Sequence, residues 1–95
     1  MPSVGVLTLE LRLEDSHSLK DKRHVVQGLK DRLRNKFNVA VAEIDCQDAW
    51  QRAVVAAVTV SPDRIFAEKV LRAVEDEAAA ILGGELADTG IEWLA

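Results

Sequence analysis

Cations crowd one short stretch of this chain. Residues 20–36 hold seven Lys/Arg against two Asp, whereas the remainder holds five Lys/Arg against fourteen Asp/Glu. Read as a helix at about 100° per residue, Arg23, Gln27, Lys30 and Arg34 fall within about 60° of arc, and Lys20 borders it. Such a stripe suits phosphates, through contacts whose affinity falls with salt. It equally suits an acidic protein surface. Without a partner it is a solvated helix face. The candidate anion- or RNA-binding residues are therefore Lys20, Arg23, Lys30 and Arg34.

Lys22 breaks the pattern, because its azimuth points into the apolar arc of the same helix, near Leu29 and Leu33. A lysine there must reach over the helix end or find a carboxylate. Glu43, alone in the apolar run VAVAEI, has the converse need, so Glu43 is expected to meet Lys22 or Arg23. The pair reads as a structural pin more readily than as chemistry. An enzymatic alternative would gather Lys22, Glu43 and Trp50 around a dimer cleft, with Trp50 as a contact aromatic.

Other reactive types are poorly placed. His17 and His24 stand seven apart across a helix start, poor spacing for a shared metal. Cys46 follows Asp45 and has no basic neighbour in sequence to favour its thiolate. No pair of carboxylates stands out as general acid and base. The expectation is no catalytic residue, no metal and no cofactor.

The elements that must position these residues follow from hydrophobic periodicity. Val4 to Leu13 alternates, with Leu7, Leu9, Leu11 and Leu13 on one side, and reads as a strand. Ser18 is an N-cap for a helix from Leu19 to Phe37, whose core face is Val25, Val26, Leu29, Leu33 and Phe37. Val39 to Cys46 and Trp50 to Val60 are strands joined by a turn. Ser61-Pro62-Asp63 starts a second helix, Pro62 to Leu82, with Phe66, Val70, Leu71, Val74, Ala78 and Ile81 on one face. Gly83-Gly84 ends it, and Ile91 to Leu94 is a last short strand.

The order β-α-β-β-α-β predicts an α+β, ferredoxin-like sandwich. Its antiparallel sheet has strand order 4-1-3-2, with both helices on one face. All 95 residues belong to that single domain. The third strand is apolar on both sides: Val54, Ala56, Val58 and Val60 alternate with Ala53, Val55 and Ala57. The helices cover only one side, so a second copy of the chain is expected over the other, giving a homodimer.

Composition narrows the possibilities. The net charge of −4 disfavours non-specific nucleic-acid binding by the whole molecule. A single cysteine excludes an internal disulfide. The longest apolar run, Ala53–Val58, is too short to cross a membrane, and the start lacks a signal peptide's pattern, so a cytoplasmic protein is expected. The central strands lack the stacking aromatics of an RNA-recognition motif. The loop EDSHS lacks both paired cysteines for a metal and glycines to cradle phosphate.

At SLKDKR (Ser18–Arg23), RLRNKFNVAVAEI (Arg32–Ile44) and DAW (Asp48–Trp50), the chain resembles the YlxP-like family of uncharacterised bacterial proteins. The matching residues are Ser18, Leu19, Lys20, Lys22, Arg23, Phe37, Glu43 and Trp50. The resemblance implies the ferredoxin-like fold, no established catalytic residue or cofactor, and an association with RNA or the ribosome. The functional expectation is a non-catalytic binding module, RNA- or ribosome-associated through the first helix. The alternative is a homodimeric protein-interaction module that uses the open sheet face.

Overall fold

The computed structural model describes Met1–Ala95. Its elements run β1 (Ser3–Arg12), α1 (Leu19–Lys36), β2 (Ala40–Asp45), β3 (Arg52–Ser61), α2 (Arg64–Leu82), a 3-10 turn and β4 (Leu86–Trp93). The strands form one antiparallel sheet in the order β2-β3-β1-β4, the ferredoxin-like order read from the sequence.

Alternation fixes which side of the sheet is buried. Leu7, Leu9 and Leu11 pair with Ala57, Val55 and Ala53 across β1 and β3, and all six are essentially sealed from solvent. Leucine opposite small residues leaves room for Val26, Leu29 and Leu33 of α1 and for Leu71, Val74, Ala78 and Leu82 of α2, which complete the core. Gly5 is a point of close approach. A Cβ there would lie 2.7 Å from Leu71 Cδ1 and 2.8 Å from Trp93 Cζ3, so any larger residue must push these two side chains of the α2–β4 packing aside.

The helix starts are chemically defined. Ser18 Oγ accepts from Asp21 N at 3.1 Å, and Asp21 Oδ2 accepts from His17 N at 3.0 Å, so two donors at the start of α1 are satisfied reciprocally. For α2 the cap is Asp63, whose Oδ1 accepts from Ile65 N at 2.9 Å. The expected start at Pro62 is corrected accordingly, to Arg64. Ser61 is still paired with Ser3 in the ladder, and its hydroxyl supports Asp63 N instead.

Three further expectations are corrected. Phe66 is 59% exposed, and the helical register buries Ala67 in its place. Trp50 lies in the β2–β3 turn, because β3 begins at Arg52. β4 extends back to Leu86, since β1 supplies a hydrogen-bonding edge along nearly its whole length. Thr89 on β4 donates to Glu75 Oε2 of α2 at 2.6 Å, which fastens the strand to the helix beside the partly buried Leu86, Ile91 and Trp93.

Candidate functional site

The cations of α1 divide into three sets according to what their elements set beside them. Arg32 and Lys36 face α2, where Glu77 accepts from both, with Lys36 Nζ at 2.6 Å and Arg32 Nη2 at 3.5 Å. The hydrogen bond from Lys36 holds the Glu77 carboxyl below the usual carboxylate range, with Arg32 adding to it. Arg34 belongs to the expected stripe, but the i,i+3 spacing brings its Nη2 to 2.7 Å from Asp31 Oδ1. Asp31 also accepts from Gln27 Nε2 at 2.9 Å, and the bonds from Arg34 and Gln27 lower its pKa. The C-terminal end of α1 thus spends three cations, Arg32, Arg34 and Lys36, on the molecule's own acids.

Lys20, Arg23 and Lys30 form the second set. None has a carboxylate within ion-pairing distance or a side-chain hydrogen bond. Lys20 and Arg23 are exposed, and Lys30 is half-buried, so its stem lies along the edge of the core. Lys20 and Arg23 border a hollow lined also by Asp15, Asp21, His24 and Glu85. Acids at its α1 N-terminal end thus limit the free cationic surface to the outer face of the helix.

Lys22 forms the third set alone. It is 1% exposed, the largest fully buried side chain in the molecule. Its ammonium lies 2.9 Å from Glu43 Oε2 and donates to the carbonyls of Cys46 at 2.7 Å, Gln47 at 3.1 Å and Arg52 at 3.3 Å. Three carbonyls take the three protons. Glu43 Oε2, buried and off the angle of a hydrogen bond, is held by charge alone. Arg23, the other partner considered for Glu43, stays outside. Cys46 turns its carbonyl to Lys22 by adopting φ +63°, a left-handed conformation that costs a non-glycine residue about 1–2 kcal/mol. Gln51 completes the fastening: its Nε2 donates to the carbonyls of Glu14 and Ser16 at 3.1 and 3.2 Å, and its own carbonyl accepts from Leu13 N at 2.8 Å.

Trp50 rides on the turn so fixed, 53% exposed, beside a shallow hollow lined by Asp48, Ala49, Gln51 and Arg52. Lys22 and Glu43 do not line that hollow, so the three residues of the enzymatic alternative are not brought to one cavity. No three His, Cys, Asp or Glu side chains converge as metal ligands. His17 and His24 are exposed, and Cys46 is half-buried in the turn. No helix is long and apolar enough to cross a membrane.

Sequence reasoning missed the carbonyl cage and the brace made by Gln51. Both depend on turn backbone, and neither leaves a mark in periodicity. The Arg34–Asp31 pair did leave one, in its i,i+3 spacing.

Comparison with known proteins places this geometry. The model of a family described as "Protein of unknown function (DUF503)" matches residues 4–91. The uncharacterized protein YlxP of Bacillus subtilis (strain 168) is 41% identical over 71 residues, which cover 75% of this chain and 77% of that protein. Among solved structures, Rv0793 from Mycobacterium tuberculosis is similar with a TM-score of 0.56 at 17% identity, covering 100% of this chain and 94% of that one. A dimeric ferredoxin-like protein of unknown function from Thermobifida fusca is similar with a TM-score of 0.51 at 18% identity, covering 97% and 91%. At those identities the likeness to the two structures is one of fold.

Proposed function

The chain belongs to the DUF503 family of proteins of unknown function, and from that premise we propose that it is a non-catalytic module that binds RNA through the unpaired cations of α1. One observation carries the reading. In an acidic protein whose other α1 cations are matched internally, Lys20, Arg23 and Lys30 are left without an anion. They lie on a single helix face over about 15 Å, at a rise of about 1.5 Å per residue. Long cationic side chains along such a face can reach phosphates of a nucleic-acid backbone, with release of counterions and no dependence on base sequence. The net acidity of the rest of the chain, five Lys/Arg against fourteen Asp/Glu outside residues 20–36, favours an approach along α1. Arg34 is a reserve contact, available when a phosphate displaces Asp31.

Fluorescence anisotropy with a labelled structured RNA tests the proposal. Binding is expected at low salt and lost in the Lys20→Glu/Arg23→Glu/Lys30→Glu variant. Full binding by that variant, or none by the wild type, overturns it.

A further inference from the structure

The fold places its two tryptophans in opposite circumstances. Trp93 is packed against the core, with the Arg64 guanidinium 4.2 Å from its ring. Trp50 belongs to no part of that core, and more than half of it meets solvent. Yet the turn that carries it, residues 46–51, is tied down on both sides of the indole. Lys22 takes the carbonyls of Cys46 and Gln47 before it and of Arg52 after it. Ala49 N donates to the Cys46 carbonyl at 3.0 Å, and Gln51 is bonded to Leu13, Glu14 and Ser16. An exposed indole on so constrained a backbone meets a ligand with little ordering left to lose. Those bonds also fix its place. Lys22 lies between Lys20 and Arg23 in the first turns of α1, and Glu14 and Ser16 lie in the loop leading to it. The turn of Trp50 is therefore joined to the N-terminal end of the cationic face. The hollow beside the indole carries one charge of each sign, Asp48 and Arg52, and neither is ion-paired. Exposed Glu14 and Asp15 add repulsion toward phosphate at this end, so a contact here must draw its energy from something other than charge.

We infer that Trp50 stacks on an unpaired base of the bound strand, so that the RNA this module takes is single-stranded or looped out. The inference rests on the RNA reading above and names its substrate class. Duplex RNA keeps its base faces in its own stack and offers α1 only its backbone. A single strand offers phosphates and base faces together, and proteins that bind single strands join a cationic track to aromatic platforms. Every base has such a face, so the contact is tolerant of sequence. Stacking releases no phosphate counterions, so the indole adds affinity without adding to the salt dependence that Lys20, Arg23 and Lys30 set.

Fluorescence anisotropy on the full chain, with a labelled single-stranded RNA of about ten nucleotides and with a duplex of the same sequence, tests the inference. Trp50→Ala is expected to weaken single-strand binding by about 5- to 150-fold, the range of one aromatic–base stack, and to leave duplex binding unchanged. The slope of single-strand affinity against salt is expected to stay as in the wild type. Trp50→Phe keeps a smaller aromatic face and is expected to fall between the two. The single strand is expected to quench the tryptophan fluorescence of the wild type and not that of Trp50→Ala, because Trp93 is paired with Gly5 toward the other end of β1. Trp50 lies outside the core, so both variants keep the fold, which circular dichroism checks. Single-strand affinity that Trp50→Ala leaves unchanged overturns the inference while the RNA reading stands, and would leave the indole to a protein partner. Equal losses on single strand and duplex also overturn it, since the indole would then meet no base face. A wild type that binds neither RNA overturns the RNA reading, and the inference with it.

Discussion

Replacing Lys22 with methionine separates the charge of the buried side chain from its packing. Methionine fills the same place among Val26 and Leu29, so the apolar contacts of α1 survive. What is lost is the ammonium. Glu43 Oε2 is left buried with no counter-charge, and the Gln47 and Arg52 carbonyls lose a donor. The Cys46 carbonyl keeps Ala49 N at 3.0 Å, so its loss is partial. Removing one partner of a buried ion pair costs about 3–5 kcal/mol. The Glu43 side chain retains 18% exposure, which favours the lower part of that range. A 95-residue domain has a total stability of roughly 5–14 kcal/mol, so the loss is a large share of it. Urea unfolding followed by circular dichroism is the assay. With a slope of about 1–2 kcal/mol per M, the midpoint is expected to fall by about 2–3 M. Lys22→Met/Glu43→Leu, which removes both charges, is expected to recover most of the loss. A Lys22→Met variant within about 1 kcal/mol of the wild type would refute the reasoning, because the ammonium would then contribute no more than one ordinary hydrogen bond.

Three further outcomes follow from particular contacts. Gly5→Ala drives a methyl into Leu71 and Trp93, so a loss of about 1–3 kcal/mol is expected in the same urea assay, with a change in Trp fluorescence. Glu77 has a lowered pKa when folded, so its contribution is present above the unfolded carboxylate value and is lost as pH falls through the folded one. Glu77→Gln is therefore expected to melt below the wild type at neutral pH and to converge with it in acid. Asp31→Asn releases Arg34, so RNA affinity is expected to rise and its dependence on salt to steepen by about one contact, measured by anisotropy across a salt series.

Periodicity made most of the fold legible. The alternation of Leu7, Leu9, Leu11 and Leu13 and the helical arcs of α1 and α2 each admit one buried face, and short connections leave one sheet order. β4 was only partly legible, because its hold on β1 is backbone hydrogen bonding and its outward residues, among them Asp88, Gly90 and Glu92, show no apolar rhythm. Phe66 misled because it lies one position from Ala67, and size suggested burial where helical register assigned the smaller residue. At the candidate site, Lys22 and Glu43 advertised themselves as charges in apolar runs. The cage around Lys22 did not, since it requires Cys46 in a conformation that cysteine rarely adopts. Which cations stay free was half legible: Asp31 stands three residues from Arg34, whereas Glu77 reaches Arg32 and Lys36 only through the packing of α1 on α2.

The salt dependence of binding to a single-stranded RNA oligonucleotide tests most directly whether α1 is a phosphate-binding face. Three free cations, each releasing about 0.7 counterion, give a slope of about −2 for the logarithm of the association constant against that of salt concentration. That slope is the expected result, falling toward zero in the Lys20→Glu/Arg23→Glu/Lys30→Glu variant. Binding that ignores salt, or a slope the variant leaves unchanged, would contradict it.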